Sequence, residues 1–353
     1  MKVAIHNSSS GFHPRWVEYC KTHKIPYILV NALDSDIIQQ LKGCDYFLWH
    51  FSHMNSSDLL VAKGILYALE SKGIKVFPSV QTCFTFDDKI SQKYLLESQN
   101  IPLVQSDVFY SYSSALEWLK KTTFPKVFKL KNGAGSQNVR LVKNLKEAKK
   151  LCKIAFSSRF SPVPHSFSDF KKKFRAGKEN RQLLKKLLRL PSIIKRVRSQ
   201  RKQLPSQFGY VYFQEFIPDN LDDIRITVVG KKYIWGYRRR VRPNDFRASG
   251  SGDISYVKED IPQETLLMGI DIAKKLNSQS ICIDFITAPE KEYKVVEISY
   301  GYIDKSIYSC PGFWDSELSF HEGNYWPQDF ILETLLEEKN ASFFHKNEPL
   351  KLE

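Results

Sequence analysis

Residues 126–142, KVFKLKNGAGSQNVRLV, set two apolar β-type runs on either side of a loop with two glycines. Two strands joined through such a loop form a hairpin, whereas a Walker loop needs a strand, a glycine loop and then a helix. The segment therefore excludes a Walker fold while keeping its chemical parts. Lys129 stands on an apolar strand just before Gly133, Ala134, Gly135 and Ser136. An ammonium there can meet phosphate oxygens while the N–H groups of the loop close over them. Read alone, Lys129 is equally a strand-edge lysine in solvent.

The chain before this point alternates β and α. VAIHNSS, PYILVNA, DYFLWHF and KVFPS read as strands, with HPRWVEYCKTHKI, DSDIIQQLKGC and LLVAKGILYALESKG as the helices between them. Such alternation predicts a small parallel, Rossmann-like α/β domain over residues 1–82. DDKISQKYLLESQN and SSALEWLKKTT are helices with acidic and serine starts. After residue 206 the strands YVYFQEFI, DIRITVVG, KKYIWGYRRRV, ICIDFITA and EYKVVEISY predict an antiparallel sheet, with QETLLMGIDIAKKLN as a long amphipathic helix and PQDFILETLLEEKN as the last one.

Two of these strands carry a carboxylate in an otherwise apolar run, Asp284 in ICIDFI and Glu297 in VVEIS. A buried carboxylate is costly unless it is paired or metal-bound. Two on neighbouring strands suit Mg²⁺, which takes a couple of carboxylates plus substrate phosphates, or they are two separate salt-bridged groups. Asp223 and Arg225, then Arg238, Arg239, Arg240 and Arg247, lie between them and Lys129. Guanidinium forks bind phosphate and carboxylate in a bidentate way. Strand alternation sends Arg238 and Arg240 to one face and Arg239 to the other.

The order FDDKISQKYLL, VFKLKNGAGSQNVRLV, FQEFIPDNLDDIRITVVG, RRRVRPNDFRASGSG, ICIDFI and VVEIS resembles the ATP-grasp superfamily, in particular its RimK-like and glutathione-synthetase-like carboxylate–amine ligases. The resemblance covers residues 83–305 and implies a mixed α/β and α+β fold with a Rossmann-like domain before an ATP-grasp domain. That domain would span 83–335, with a lid lobe over 104–165, a large lobe over 207–335 and a polar tail at 336–353. It implies ATP held by Lys89, Lys129 and the 132–137 loop. Adenine would be received at Glu215, Phe216 and Ile217, with Asp223 a further nucleotide contact. Arg247 would steady the transferred phosphoryl group, helped by Arg240. Asp284 and Glu297 match Mg²⁺ (or Mn²⁺) ligands, and the third position, usually asparagine, is Ser299. The implied reaction is ATP-dependent joining of a carboxylate to an amine or thiol through an acyl-phosphate. The aromatic tail CPGFWD and HEGNYW resembles ATP-grasp proteins of bacterial surface-polysaccharide pathways, which implies a uronic acid or polysaccharide precursor as substrate.

The net charge of +15 is concentrated, since residues 171–202 hold fourteen lysines and arginines against one glutamate, which leaves +2 for the rest. This run lies in a predicted insertion over 166–206. Its leucines at helical spacing describe either a helix for an anionic membrane surface or one packed on its own protein. A nucleic-acid- or ribosome-associated protein is the competing reading, but Phe174 alone among the aromatics interrupts the run, which disfavours single-strand stacking. A Mg-ATP-binding regulator without ligase activity is a third. Six cysteines without CxxC spacing argue against a disulfide framework or zinc cluster. No run of about 18 apolar residues occurs, so a cytoplasmic protein, peripheral at most to a membrane, is expected. His50 and His53 stand three apart without a third ligand, and His321 with Glu322 either lines an acceptor pocket or is structural. Residues 7–16, NSSSGFHPRW, follow the first strand, where α/β domains present ligands.

Overall fold

A computed structural model of the 353-residue chain describes residues 1–53, 55–132, 138–160, 207–243 and 245–340. Gly133, Ala134, Gly135, Ser136, the basic run at 171–202 and the last thirteen residues lie outside the described residues.

The first unit is a four-stranded parallel sheet of order β2-β1-β3-β4, with β1 at Val3–His6, β2 at Tyr27–Val30, β3 at Tyr46–Leu48 and β4 at Lys75–Phe77. Helices α1 (His13–Thr22), α2 (Ile37–Gln40) and α3 (Ser56–Ser71) connect its strands. The run expected to be helical after Asp34 shortens to four residues. Pro14 starts α1, where a missing N–H costs nothing. Trp16, Trp49, Phe12 and Phe47 are fully buried here, each contributing about 1.5–3 kcal/mol or more by leaving water.

Helices α4 (Val80–Thr85) and α5 (Lys89–Ser98) lead into a second, antiparallel sheet of order β5-β8-β6-β7. Its strands are β5 (Ser106–Phe109), β6 (Lys126–Lys129), β7 (Val139–Val142) and β8 (Val211–Glu215). Helices α6 (Tyr112–Leu119) and α7 (Leu145–Ser157) cover it, capped by Ser111 and Asn144, whose side chains accept backbone N–H bonds. β6 and β7 pair directly, so the strand-loop-strand reading of residues 126–142 holds.

The third sheet is antiparallel and seven-stranded, of order β13-β12-β9-β10-β14-β15, with β11 (Ile254–Ser255) paired to β10. Its long strands are β9 (Asp222–Val229), β10 (Tyr233–Arg240), β12 (Ser280–Thr287) and β13 (Tyr293–Ser299), and β14 (Gly312–Trp314) with β15 (Phe320–Glu322) forms an edge hairpin. Helix α8 (Gln263–Lys275) packs close to β9, where a Cβ on Gly269 would stand 2.8 Å from Ile226. Helices α9 (Asp304–Tyr308) and α10 (Pro327–Asn340) follow, and Arg15 of α1 joins Asp329 of α10 at 2.5 Å, tying the last helix to the first domain.

All six cysteines are buried and unpaired. Among the described residues no helix is long and apolar enough to cross a membrane.

Candidate active site

A cavity of about 520 Å³ is walled by β9, β10, β12 and β13, by residues 50–53 beyond β3, and by the 249–252 loop. Its charged wall is a chain of four groups. Register sets Asp284 of β12 opposite both Glu297 of β13 and Arg225 of β9. Arg225 grips Asp284 with two bonds, of 2.7 and 2.8 Å, and Arg239 adds a third at 2.8 Å. Arg239 also holds Asp223 at 2.7 and 2.6 Å. Burial alone would raise the Asp284 carboxyl, but the two guanidinium groups hold it well below the usual carboxylate range.

Asp223, expected from the resemblance as a nucleotide contact, is held here by Arg239. Arg240 is exposed at the strand end, and Arg239, on the other face of β10, lines the cavity. Strand alternation could separate the two residues but not say which face looks inward.

Lys89 opens α5 behind its cap, Asp88, which accepts from the Ser91 N–H at 3.0 Å. A cation in a first helical turn opposes the helix dipole. Glu297 compensates at 3.2 Å. Burial works against the Lys89 charge, and Glu297 with Asp87 more than offsets it, so its pKa lies above the ordinary value.

Lys129, at the end of β6, is 4% exposed. No carboxylate among the described residues comes within ion-pair distance of it, in contrast to Lys89 and to Lys126, which pairs with Glu215. Burial pushes the Lys129 ammonium down to about 8, with Glu297 and Asp284 pulling upward and Lys89 pushing further down. A buried cation without its own anion is costly and marks a place where a ligand brings the negative charge.

The loop after Lys129 is braced at its base by residues that sequence reasoning did not single out. The Lys131 N–H donates to the Tyr210 hydroxyl at 2.6 Å, which donates to Gln207 at 2.7 Å. Gln207 donates to Asn132 at 3.1 Å, and Asn132 donates to the Asp87 carbonyl at 2.6 Å. The Lys89 N–H donates to the Lys131 carbonyl at 3.0 Å, so both lysines are indexed to one another through backbone.

Glu215 ends β8, followed by Phe216, whose ring meets Phe246 edge-on at 5.7 Å, and by Ile217. Arg247 is clamped by Asp245 at 2.8 and 2.6 Å and donates to the Val139 carbonyl of β7 at 3.3 Å, bridging the second and third sheets. His321 pairs with Asp315 at 2.8 Å and stacks on Phe313 in the β14–β15 hairpin, a structural role away from the cavity.

The donor set fits Mg²⁺. A carboxylate offers about four lone-pair sites, and Asp284 spends three on N–H bonds, leaving one on Oδ1. Glu297 is one-third exposed and, among the described residues, pairs with one cation, Lys89. The described residues contain no group of three His, Cys, Asp or Glu that could hold a metal alone. Mg²⁺ takes one or two carboxylates together with water or phosphate oxygens, which is compatible with this pair. The Ser299 hydroxyl donates to the Gly301 carbonyl at 2.9 Å and accepts its N–H at 3.1 Å, so service as a ligand would compete with this turn.

The RimK-like ATP-grasp domain family matches residues 176–303, a span that begins inside the predicted insertion. Phosphoribosylamine–glycine ligase of Caldanaerobacter subterraneus subsp. tengcongensis is 30% identical over 107 residues, which is 30% of this chain. The chain covers 26% of that relative's length, about a quarter. Among solved structures, N5-carboxyaminoimidazole ribonucleotide synthetase from Thermotoga maritima aligns with TM-score 0.58 and 14% identity over 95% of this chain and 75% of its own. D-alanine–D-alanine ligase from Bacillus anthracis aligns with TM-score 0.56 and 15% identity over 97% and 99%. A RimK domain ATP-grasp protein from Sphaerobacter thermophilus gives 0.55 and 12% over 95% and 100%. Residues 176–303 thus match the RimK-like ATP-grasp domain family, and the chain shares its fold with these solved structures.

Proposed function

We propose that the chain is an ATP-dependent ligase that joins a carboxylate to an amine, or to a thiol, through an acyl-phosphate. One observation carries the reading: Lys129 is a buried cation with no carboxylate of its own among the described residues, set near Lys89, Glu297 and Asp284. A polyphosphate is the ligand that satisfies two lysines and, through a metal, two carboxylates.

Lys129 and Lys89 bind phosphate oxygens, with Glu215, Phe216 and Ile217 at the adenine end. Asp284 and Glu297 would hold Mg²⁺, which when bound neutralises charge spreading over the phosphoryl oxygens. The substrate carboxylate oxygen attacks the γ-phosphorus and ADP leaves. The amine nitrogen then attacks the acyl carbon, inorganic phosphate leaves and the amine gives up a proton. Arg247 steadies the phosphoryl group and Arg239, fixed by Asp223, stabilises the tetrahedral oxyanion. No side-chain nucleophile is needed, consistent with the Cys282 thiol, which burial pushes up to about 11.

The narrower reading takes a uronic acid or polysaccharide precursor as acyl donor and gives residues 171–202 a contact with anionic membrane. A Mg-ATP-binding regulator is the second reading, favoured by the self-contained turn of Ser299. Hydroxylamine separates them, because it captures an acyl-phosphate as a hydroxamate. With Mg-ATP and a panel of carboxylates, ATP-dependent hydroxamate and equimolar ADP support the ligase. Nucleotide binding without either product across the panel supports the regulator.

A further inference from the structure

The described lining of the cavity divides by charge. At the end near Asp284, each charged group has a partner, Asp284 with Arg225 and Arg239, and Glu297 with Lys89. The remainder of the lining has no carboxylate, lysine or arginine, and offers Ser52, Ser249, Ser251 and Ser306 with Tyr302, beside two imidazoles, His50 and His53. A substrate ammonium, or a second substrate carboxylate, would find no counter-charge among these described residues. A neutral, hydroxyl-bearing body finds partners.

The hydrogen bonds around His50 fix its tautomer. His13 Nδ1 meets the Ser10 carbonyl at 2.8 Å, so it is the protonated nitrogen of that ring, and its Nε2 accepts the His50 backbone N–H at 3.0 Å. His50 Nδ1 accepts the Phe12 N–H at 3.3 Å, which leaves the ring proton on Nε2. Gly11, at φ +67, lies against Nδ1, where a Cβ would come within 2.4 Å. Nε2 faces the other way, toward Gly301 on the cavity wall. The ring is stacked on Phe12 with centroids 3.8 Å apart and meets Tyr300 edge-on at 5.7 Å, so it cannot turn over without breaking both contacts. Burial, with His13 and His53 adding, pushes this imidazole down to about 3, and burial pushes His13 down to about 4, so both environments favour the neutral ring.

We propose that His50 orients the acyl substrate: its Nε2–H, a neutral donor locked in one tautomer, hydrogen-bonds an oxygen of a neutral, hydroxyl-bearing body that carries the reacting carboxylate. The NSSSGFHPRW segment then serves as the bracket that holds the donor, through Ser10, Gly11, Phe12 and His13. A sugar acid is the substrate class that meets these terms, and an α-amino acid does not.

The proposal rests on the ligase reading, and the experiment separates the two. Protein labelled with ¹⁵N-histidine is saturated with Mg-AMPPNP and titrated with D-glucuronate, with L-glutamate as the contrasting probe. Absence of Mg-AMPPNP binding by the parent would contradict the ligase reading itself. With the nucleotide bound, the expected result is an Nε2–H signal for His50 that moves with D-glucuronate and stays with L-glutamate. A signal that ignores D-glucuronate, or sits on Nδ1, overturns the proposal.

Two variants add a readout that a structural role would not produce. His50→Gln carries an amide N–H near Nε2, whereas His50→Asn carries an oxygen near Nδ1 and keeps only the acceptor for Phe12. Loss of one substrate hydrogen bond predicts a D-glucuronate Kd about tenfold weaker for His50→Asn, with His50→Gln within about threefold of the parent. The reverse order would assign His50 to bracing Phe12 and overturn the proposal. Circular dichroism checks folding, and the measurement on the parent stands if either variant fails to fold.

Discussion

Lys129 has its folded pKa near 8 against an ordinary 10.5, because burial disfavours the ammonium. Between those values the unfolded chain binds more protons than the folded one, so stability rises with pH across roughly 8 to 10.5. Below about 8 both states hold the proton and the full cost of the buried charge remains. Lys129→Met removes that cost, so the unliganded variant is expected to melt higher than the parent at pH 7 and to lose its share of the rise above pH 8. Melting curves from pH 7 to 10 check this. Phosphate bound beside Lys129 restores the proton, so Mg-ATP binding at pH 8.5 should take up protons, seen as a buffer-dependent binding enthalpy in calorimetry. Arg239 sits in the same field with the opposite balance. Arg239→Ala leaves Asp223 and Asp284 short of a buried partner and should cost about 3 kcal/mol in denaturant unfolding, since breaking a buried ion pair exposes the survivor's desolvation. A loss below about 1 kcal/mol would show the chain of four groups to be solvated.

At the scale of elements, the strands announced themselves where their purpose was burial. ICIDFI and VVEIS are apolar runs with one carboxylate each, and those two carboxylates lie opposite one another in the register of β12 and β13. The β6–loop–β7 hairpin was legible from glycine placement and Lys129 from its apolar strand, whereas Lys89 was named only by the family resemblance. What the sequence concealed were relations made by folding. Arg225 was visible as a residue, but its grip on Asp284 needs β9 to lie beside β12, across 59 positions of chain. Tyr210 and Gln207 look like ordinary strand-edge residues until they meet the base of the loop from the far side of residues 161–206. His50 and His53 show only their spacing in the sequence, with no third ligand, whereas the tautomer of His50 is set by Phe12 from another loop. The loop brace predicts that Tyr210→Phe, which strands the Lys131 N–H, will weaken ATP binding and cost about 1–3 kcal/mol in stability. Equal ATP affinities for variant and parent would remove the brace from the account of binding.

Over the whole molecule, residues from beyond the parallel sheet and from the seven-stranded sheet line the cavity, and the second sheet carries Lys129, whose charge is influenced by Glu297 and Asp284. The parallel sheet sends residues 50–53 to its neutral end, and the seven-stranded sheet supplies the paired charges. The second sheet contributes Lys129 and, through Val139, a bond to Arg247. The central claim is that a polyphosphate completes this arrangement by supplying the anion that Lys129 lacks. Thermal unfolding with and without Mg-ATP, for the parent and Lys129→Met side by side, tests it most directly. A ligand at about 100 times its Kd stabilises by roughly 2.7 kcal/mol. The account predicts that Mg-ATP raises the parent's melting temperature by several degrees and leaves Lys129→Met, itself more stable without ligand, where it was. An equal Mg-ATP shift in both proteins, or none in the parent, would contradict it.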